Sequence, residues 1–460
     1  MVYRRTGEPE AGGLPNDLED KMHNRTRILI SLMTILSVSA GCGGESPSSD
    51  APDGTPDASE RAVVAKAGEG NAPKSAAGAD GDGFQGKPGR TLLVTQSNFA
   101  RNDEGKYVKP DSGELILLSP DKNMWKAESI RETESNVFHK ALQYDKDGIL
   151  TIGAEEALLK LWRKKNGEWK STTIWHPTFG GKYNRLRDFE KADFDKDGRD
   201  DLAIATHDQG VVAVAFNRGD KWEVKEIDRK PDTFVHEIEI GDLDKDGNLE
   251  IYATPSDPNT ASGVQQGGAV VRYEWADGKF EKMVVAHYDT RHIKEVLVAD
   301  VDSDGTQELY AALEAEMGEK FAIRTPVEIV RFDLVDGKYV PQKVMSIQDR
   351  FCRFLTAGDV DGDGKTELIA SAFSAGVWVI DLEGGTYTGT CIDRNSGGFE
   401  HATYLADMDD NGKPELYVAD DNAGALRQYI YTDGKWATKV IHKRLNPKAA
   451  MVWNITVADF

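Results

Sequence analysis

Acid-rich loops at nearly regular intervals, a hairpin signal in phase with them, and two incomplete repeats at the ends together predict an all-β chain. The architecture they predict is a seven-bladed β-propeller of four-stranded blades, closed by pairing of the N- and C-terminal strands. A length of 460 residues would ordinarily suggest about three domains, but a repeat array reaches that size as one. The net charge of −22 argues against nucleic acid as a partner, because a phosphate backbone needs a basic face. Much of that charge sits in the loops themselves, where a bound cation would offset it.

The loops follow the pattern Asp-x-Asp-x-Asp-Gly-x-x-Asp/Glu, as in Asp300-Val-Asp302-Ser-Asp304-Gly305-Thr-Gln-Glu308. A cation of calcium's size takes six to eight oxygens, and alternate residues of a curled loop aim carboxylates at one point while the glycine permits the reversal. Five copies are complete: Asp193/Asp195/Asp197/Asp201, Asp242/Asp244/Asp246/Glu250, Asp300/Asp302/Asp304/Glu308, Asp359/Asp361/Asp363/Glu367 and Asp407/Asp409/Asn411/Glu415. These predict about five Ca2+ sites. A sixth loop is eroded, with Gln143 and Thr151 in place of the first and last acids, and it is expected to bind weakly or not at all.

Ahead of the array the chain falls into two parts. Residues 1–42 are an N-terminal extension followed by an export signal, with Arg25 and Arg27 before an apolar run from Ile28 to Val38. That run of 11 residues is too short to span a bilayer. It ends in Ser39-Ala40-Gly41-Cys42, which resembles a bacterial lipoprotein box with Cys42 as the lipidated residue. Ser39 stands where that box usually has leucine, and a plain secretory signal is the alternative. Gly43 resembles the outer-membrane sorting preference of Gram-negative bacteria. Residues 43–90 are Gly, Ala, Ser, Pro and Asp with almost no large apolar side chain, the composition of a disordered tether.

Residues 91–460 form the array. The second acids of successive loops are 48 to 59 residues apart, and Gly167, Gly219, Gly278, Gly337, Gly385 and Gly434, each followed within three residues by an aromatic, mark hairpins in phase with them. One unit then reads as a strand into the loop (Val296 to Ala299), a strand out (Leu309 to Ala312), a third (Val327 to Leu334), the hairpin and a fourth (Tyr339 to Ile347). Trp453 to Asp459 matches a first strand up to the first loop acid and no further. Thr91 to Gln96, Gly113 to Leu117 and Trp125 to Ile130 match the other three, so the two ends together make the seventh unit and leave no open edge. A truncated reading frame would give the same abrupt end.

The five Asp-rich loops and the strands that follow them, such as Glu367 to Ser371 and Glu415 to Ala419, resemble the FG-GAP/VCBS repeats of integrin-α-type calcium-loop propellers. The resemblance covers residues 91–460 and implies fold and metal, not activity, since such propellers serve as adhesion heads, carbohydrate-binding modules and, less often, enzyme scaffolds.

Metal on one face of the disc leaves the other face for a ligand. Six residues before the first loop position stand Val137, Arg187, His236, Lys294, Arg353, His401 and Trp453, a ring expected at the mouth of the central channel and suited to an anionic ligand. Asp188, Glu237 and Glu295 follow three of them, so mutual ion pairs would explain the ring without any ligand. Trp169, Trp222 and Trp436 recur with the hairpins and read as packing residues, with sugar stacking as the alternative. Cys352 and Cys391 fall on the first and fourth strands of one unit, about 14 Å apart at the ordinary strand spacing and beyond disulfide reach unless a loop bends.

The sequence therefore points to a calcium-binding extracytoplasmic module, lipid-anchored at the outer membrane or cell surface, that binds a carbohydrate or protein ligand or mediates adhesion. The alternative is a lyase or hydrolase acting on acidic polysaccharide, with Lys294 or His236 as base.

Overall fold

A computed structural model describes residues 89–460, apart from 102–106, 123, 181–183, 208, 259–265, 277, 320–321 and 445–449. The export signal, Cys42 and the tether lie outside the described residues. Within them the protein is all-β, without a helix.

The unit from 293 to 347 shows how the sequence makes a sheet. Strands Ile293–Ala299, Glu308–Leu313, Val327–Val335 and Lys338–Ile347 pair antiparallel in that order. Every residue of Glu308–Leu313 is buried, so this strand is covered on both faces, whereas Lys338–Ile347 is largely exposed. The hairpin before the fourth strand turns through Asp336 and Gly337 with φ of 49° and 74°, the left-handed pair that suits a two-residue turn. Four further sheets repeat the scheme, over residues 185–228, 234–288, 352–393 and 403–443.

The remaining strands form one curled nine-stranded sheet. Arg90–Arg101 lies between Gly113–Asp121 on one side and the C-terminal strand Ala450–Asp459 on the other, the latter in register from Arg90↔Asp459 to Asn98↔Ala450. A single pair, Ser97↔Val137, continues that sheet into strands Val137–Asp145, Gly148–Ala154, Leu159–Lys165 and Glu168–Trp175.

Core clusters span successive sheets instead of lying within one. Phe216, Val212 and Val214 pack on Ile238, Ile251 and Val271; Tyr310 and Ile329 pack on Leu355, Leu368 and Ile380. Leu92, Val94 and Ile455, from the two ends of the described chain, pack on Ala402, Tyr417 and Leu426. Each fully buried side chain of this size contributes roughly 1.5–3 kcal/mol relative to exposure, so the sheet-to-sheet contacts carry the stability. First strands are also neighbours in sequence order, from Val137–Asp145 through Thr403–Ala406 to Ala450–Asp459, which touches Val137–Asp145 again.

Two long connections carry structure of their own. Tyr107–Pro110 pairs back on the end of Arg90–Arg101, and Glu316–Met317 pairs with Ile323–Thr325. Cys352 and Cys391 are free thiols.

Deleting residues 450–460 would expose one edge of Arg90–Arg101 and remove Val452, Ile455 and Ala458 from the core. The shortened chain is expected to lose its cooperative thermal transition and to aggregate; a melt within a few degrees of the intact chain would show that this ladder contributes little.

Candidate functional site

At the loop end of the sheets, acidic residues among those described converge as five groups whose ligand oxygens lie within 4.8 Å of one another. They are Asp193/Asp195/Asp197, Asp242/Asp244/Asp246, Asp300/Asp302/Asp304/Glu308, Asp359/Asp361/Glu367 and Asp407/Asp409/Glu415. Asp201, Glu250 and Asp363, expected as ligands, belong to the same loops but stand outside these groups of acids. They and Asn411, also expected as a ligand, have local partners. Asp201 accepts the Phe194 and Asn217 amides at 3.3 and 2.8 Å, and Glu250 accepts from Arg272 at 2.7 Å. Asp363 accepts the Lys365 amide at 2.8 Å. Asn411, a neutral amide where the other loops have a carboxylate, accepts the Lys413 amide through its Oδ1 at 2.8 Å.

One hydrogen-bond scheme recurs. The first Asp accepts the amide of the loop glycine, Gly198, Gly247, Gly305, Gly364 or Gly412, at 2.8–3.0 Å. The last acid accepts the amide of the second loop residue, Phe194, Leu243, Val301, Val360 or Met408, at 3.0–3.3 Å. The loop glycines have φ of 81–86°, a conformation that a side chain would strain.

These loops fit a hard cation. Asp195 Oδ1 and Asp242 Oδ1 are buried with no hydrogen-bond partner, and an unpartnered buried carboxylate oxygen calls for a positive charge. Burial pushes Glu308, Glu367 and Glu415 up to about 7, and neighbouring loop acids push the same way. Arginines share some outer oxygens: Arg272 reaches Asp244 at 2.6 Å and Arg331 reaches Asp302 at 2.9 Å. In the eroded loop a guanidinium takes the cation's place outright, as Arg163 forks onto both oxygens of Asp145. That fork holds the Asp145 carboxyl below its usual range.

At the opposite end of the first strands, each ladder skips one register position. The residue left out is His139, Arg187, Lys294, Arg353 or Trp453 in five of the strands, and His236 with Glu237 in a sixth. A bulge re-aims the side chain of the extra residue and interrupts the pairing there. In this way the bulges bring the expected ring residues together.

Arg187 Nη2 donates to Glu400 at 3.1 Å and Arg353 Nη1 to the other oxygen of the same carboxylate at 2.9 Å. Arg353 Nε also donates to Glu314 at 3.0 Å, which stands 3.4 Å from His292 Nδ1 and 3.8 Å from Lys294 Nζ. Arg187 Nε donates to His236 Nδ1 at 3.4 Å, and His236 Nε2 faces His207 Nε2 at 3.0 Å. The Arg187 guanidinium lies over the Trp453 ring at 5.4 Å.

Burial pushes His139, His207 and His236 well below the usual imidazole range, so all three are neutral near pH 7. Burial pushes Lys294 down to about 8; Arg353 and Arg187 push it the same way against the pull of Glu314 and Glu400. Glu314 is held well below the carboxylate range, because Lys294 and Arg353 outweigh its burial. One residue on along the strands, Asp188 pairs with Lys140 at 2.9 Å and accepts the Ile238 amide at 2.9 Å, while Glu295 accepts the Leu355 amide at 2.8 Å.

Two expected positions are replaced. The first-unit position is His139 and not Val137; the same ladder has a second irregularity between Gln143 and Asp145. His401 is fully buried with both ring nitrogens occupied, at 2.7 Å from Ala372 O and 2.8 Å from Ser396 Oγ, and it is the preceding Glu400 that reaches the arginines. The ion pairs run between units: Arg187 takes Glu400, ahead of Thr403–Ala406, and Asp188 takes Lys140. His207, His292, Glu314 and Glu400 were missed: His207 and Glu314 both stand six residues after the last loop acid, but the other units carry Ser256, Phe373 and Asp421 there, so no common residue type marks the position.

Residues 193–253 match the family model of an FG-GAP-like repeat. No curated protein matches the chain. Among solved structures, a putative 6-phosphogluconolactonase from Bacteroides uniformis is 12% identical, covering 80% of this chain and 99% of its own at a TM-score of 0.49. A periplasmic gluconolactonase of Pseudomonas aeruginosa is 12% identical, covering 80% and 98% at a TM-score of 0.46.

A loop glutamate that titrates at about 7 when the loop is empty must lose its proton to ligate an ion. It is mostly ionised at pH 8 and mostly protonated at pH 6, so calcium affinity of the glutamate-bearing loops is expected to fall about tenfold over that interval. Titration calorimetry in buffers of different ionisation enthalpy should record proton release at pH 6.5 and almost none at pH 8.5. Affinity and heats independent of pH would remove these glutamates from the metal shell.

Proposed function

We propose that the protein is a calcium-stabilised propeller of seven four-stranded blades, used outside the cytoplasm as a binding or adhesion module. The seventh blade is composite, made of Ala450–Asp459 with Arg90–Arg101, Gly113–Asp121 and Met124–Glu132, and the curled sheet divides at Ser97↔Val137 into this blade and the next. Support comes from core clusters that link each sheet to its successor and the last to the first. Calcium in the five convergent loops neutralises carboxylates that otherwise repel, and its part is structural. A lipid on Cys42 and the tether to about residue 90 would hold the module at an outer membrane or cell surface.

One observation carries the binding reading: six first strands break their ladders away from the loop, five of them six residues before the first loop position, and the residues left out include Arg187, His236, Lys294 and Arg353, whose side chains lie in one network of charges and hydrogen bonds. Arg187, His236, Lys294, Arg353 and Trp453 are the ligand-facing residues of this reading, with a carbohydrate or protein as ligand. A second reading, an enzyme acting on acidic polysaccharide, draws on His292, whose Nδ1 faces Glu314 and whose Nε2 is buried without a partner, an arrangement suited to a base. In that reading His292 is a better base than His236, whose two nitrogens both have partners.

Removing calcium with a chelator is expected to lower the melting temperature by at least about ten degrees. An unchanged melt would exclude a structural metal. A glycan array probed with and without calcium should show calcium-dependent binding, while shortened product after incubation with acidic polysaccharide would favour the enzyme.

A further inference from the structure

The centre of the first strands is built for more than mutual ion pairing. Three cations, Arg187, Lys294 and Arg353, share two carboxylates, Glu314 and Glu400, and all five side chains are at least nine-tenths buried. Both arginines are engaged by these acids, and Lys294 stands 3.8 Å from Glu314. Of the next acids along, Asp188 is engaged by Lys140 and the Ile238 amide, and Glu295 accepts the Leu355 amide through Oε1 while its Oε2 is buried without a hydrogen-bond partner.

Three ring nitrogens in the same cluster are buried without a partner among the described residues: Trp453 Nε1, His207 Nδ1 and His292 Nε2. Hydrogen bonding fixes what each offers. Because Arg187 donates to His236 Nδ1, the His236 proton sits on Nε2 and is donated to His207 Nε2, which leaves the His207 proton on Nδ1. Glu314 accepts from His292 Nδ1, so His292 Nε2 carries a lone pair. The cluster thus holds two uncommitted N–H donors and one uncommitted acceptor beside an ammonium. A carboxylate next to a hydroxyl is the complement of that set, the carboxylate accepting and the hydroxyl donating to His292.

Beside it lie three half-buried phenylalanines. Phe351 meets Phe373 and Phe399 edge to face at 5.6 and 6.0 Å, and Arg353 lies against Phe351 and Phe399 at 4.9 and 4.1 Å from their ring centres. These half-buried rings form an apolar border beside the polar cluster.

Resting on the reading of the protein as a binding module, we infer that the Lys294, Trp453, His207 and His292 cluster with the Phe351/Phe399 face is a subsite for a carboxylate-bearing sugar residue of an oligosaccharide. The carboxylate seats against Lys294 and the two donors.

Calorimetry on the full chain in calcium, with trisaccharides of galacturonic, guluronic and mannuronic acid, their methyl esters and free acetate, tests this. At least one acidic trisaccharide should bind, its ester at least about tenfold more weakly and acetate not measurably. Lys294→Met should weaken that binding by at least about tenfold, and Trp453→Phe, which removes only the indole donor and keeps most of the ring, by several-fold. Should Lys294→Met fail to fold, Trp453→Phe with an unchanged melt decides. Equal binding of acid and ester, or unaltered binding by Trp453→Phe, overturns the subsite, and acetate competing as well as the sugars overturns the sugar assignment. If only a neutral glycan or a protein binds, the subsite fails while the module reading stands; if nothing on the array binds, the module reading fails with it.

Discussion

Clustered carboxylates are the constraint from which the rest of this fold follows. Asp300, Asp302, Asp304 and Glu308 bring ligand oxygens within 4.8 Å of one another, a distance at which like charges repel even in a polar medium. The backbone amides that each loop turns inward relieve part of that, as Gly305 does for Asp300 and Val301 for Glu308. What the amides leave over must be met by protons or by a cation. The eroded loop shows the protein's own solution: with fewer acids, one guanidinium from Arg163 suffices. Complete loops bring together three or four acids, and arginines reach only some of these, as Arg218, Arg272 and Arg331 do.

The loop also sets the register of everything that follows. Its last acid begins the second strand, and Tyr252, Tyr310 and Tyr417, two residues on, donate to that acid's carboxylate at 3.0–3.1 Å. Counting back from the loop, the ladder runs without a break until the bulge, so the distance between acidic loop and central cluster is constant along the strand. Where the loop is eroded the ladder slips, and the bulge falls at His139. Loop and bulge thus keep one spacing in the units of Arg187, Lys294 and Arg353 and a shorter one in the unit of His139.

This spacing explains what was legible from sequence. A strand period interrupted by Asp-rich loops and Asp-Gly or Asn-Gly turns is a local pattern, and each element it implies is present with small shifts at its ends, as in Val327–Val335. Counting six residues back from the loop found Arg187, His236, Lys294, Arg353 and Trp453, because one register links loop and bulge. It failed at Val137, where the register slips, and at His401, whose positive φ of 61° turns its side chain into the sheet. Within the loops the repeat named the acids that converge, while Asp201, Glu250 and Asp363 lie outside the convergent groups, a difference that the repeat pattern does not carry. Glu314, Glu400 and His292 stand just outside the strands and His207 at the end of one; their identities differ from unit to unit, and Arg353 reaches Glu314, Arg187 reaches Glu400 and His236 reaches His207 from other sheets. Contacts between sheets leave no mark in a single sequence.

The central cluster is better understood as unfinished than as a stabilising plug. A buried ion pair gains stability over apolar packing only when every lone pair and proton is satisfied. Here Glu314 and Glu400 satisfy the two arginines, yet Trp453 and two histidines sit among them with orphaned ring nitrogens. Apolar residues at the bulges would have filled the same space at lower desolvation cost. The protein instead repeats a ladder defect in strand after strand and uses it to place polar groups where the first strands converge, an arrangement that packing alone does not require.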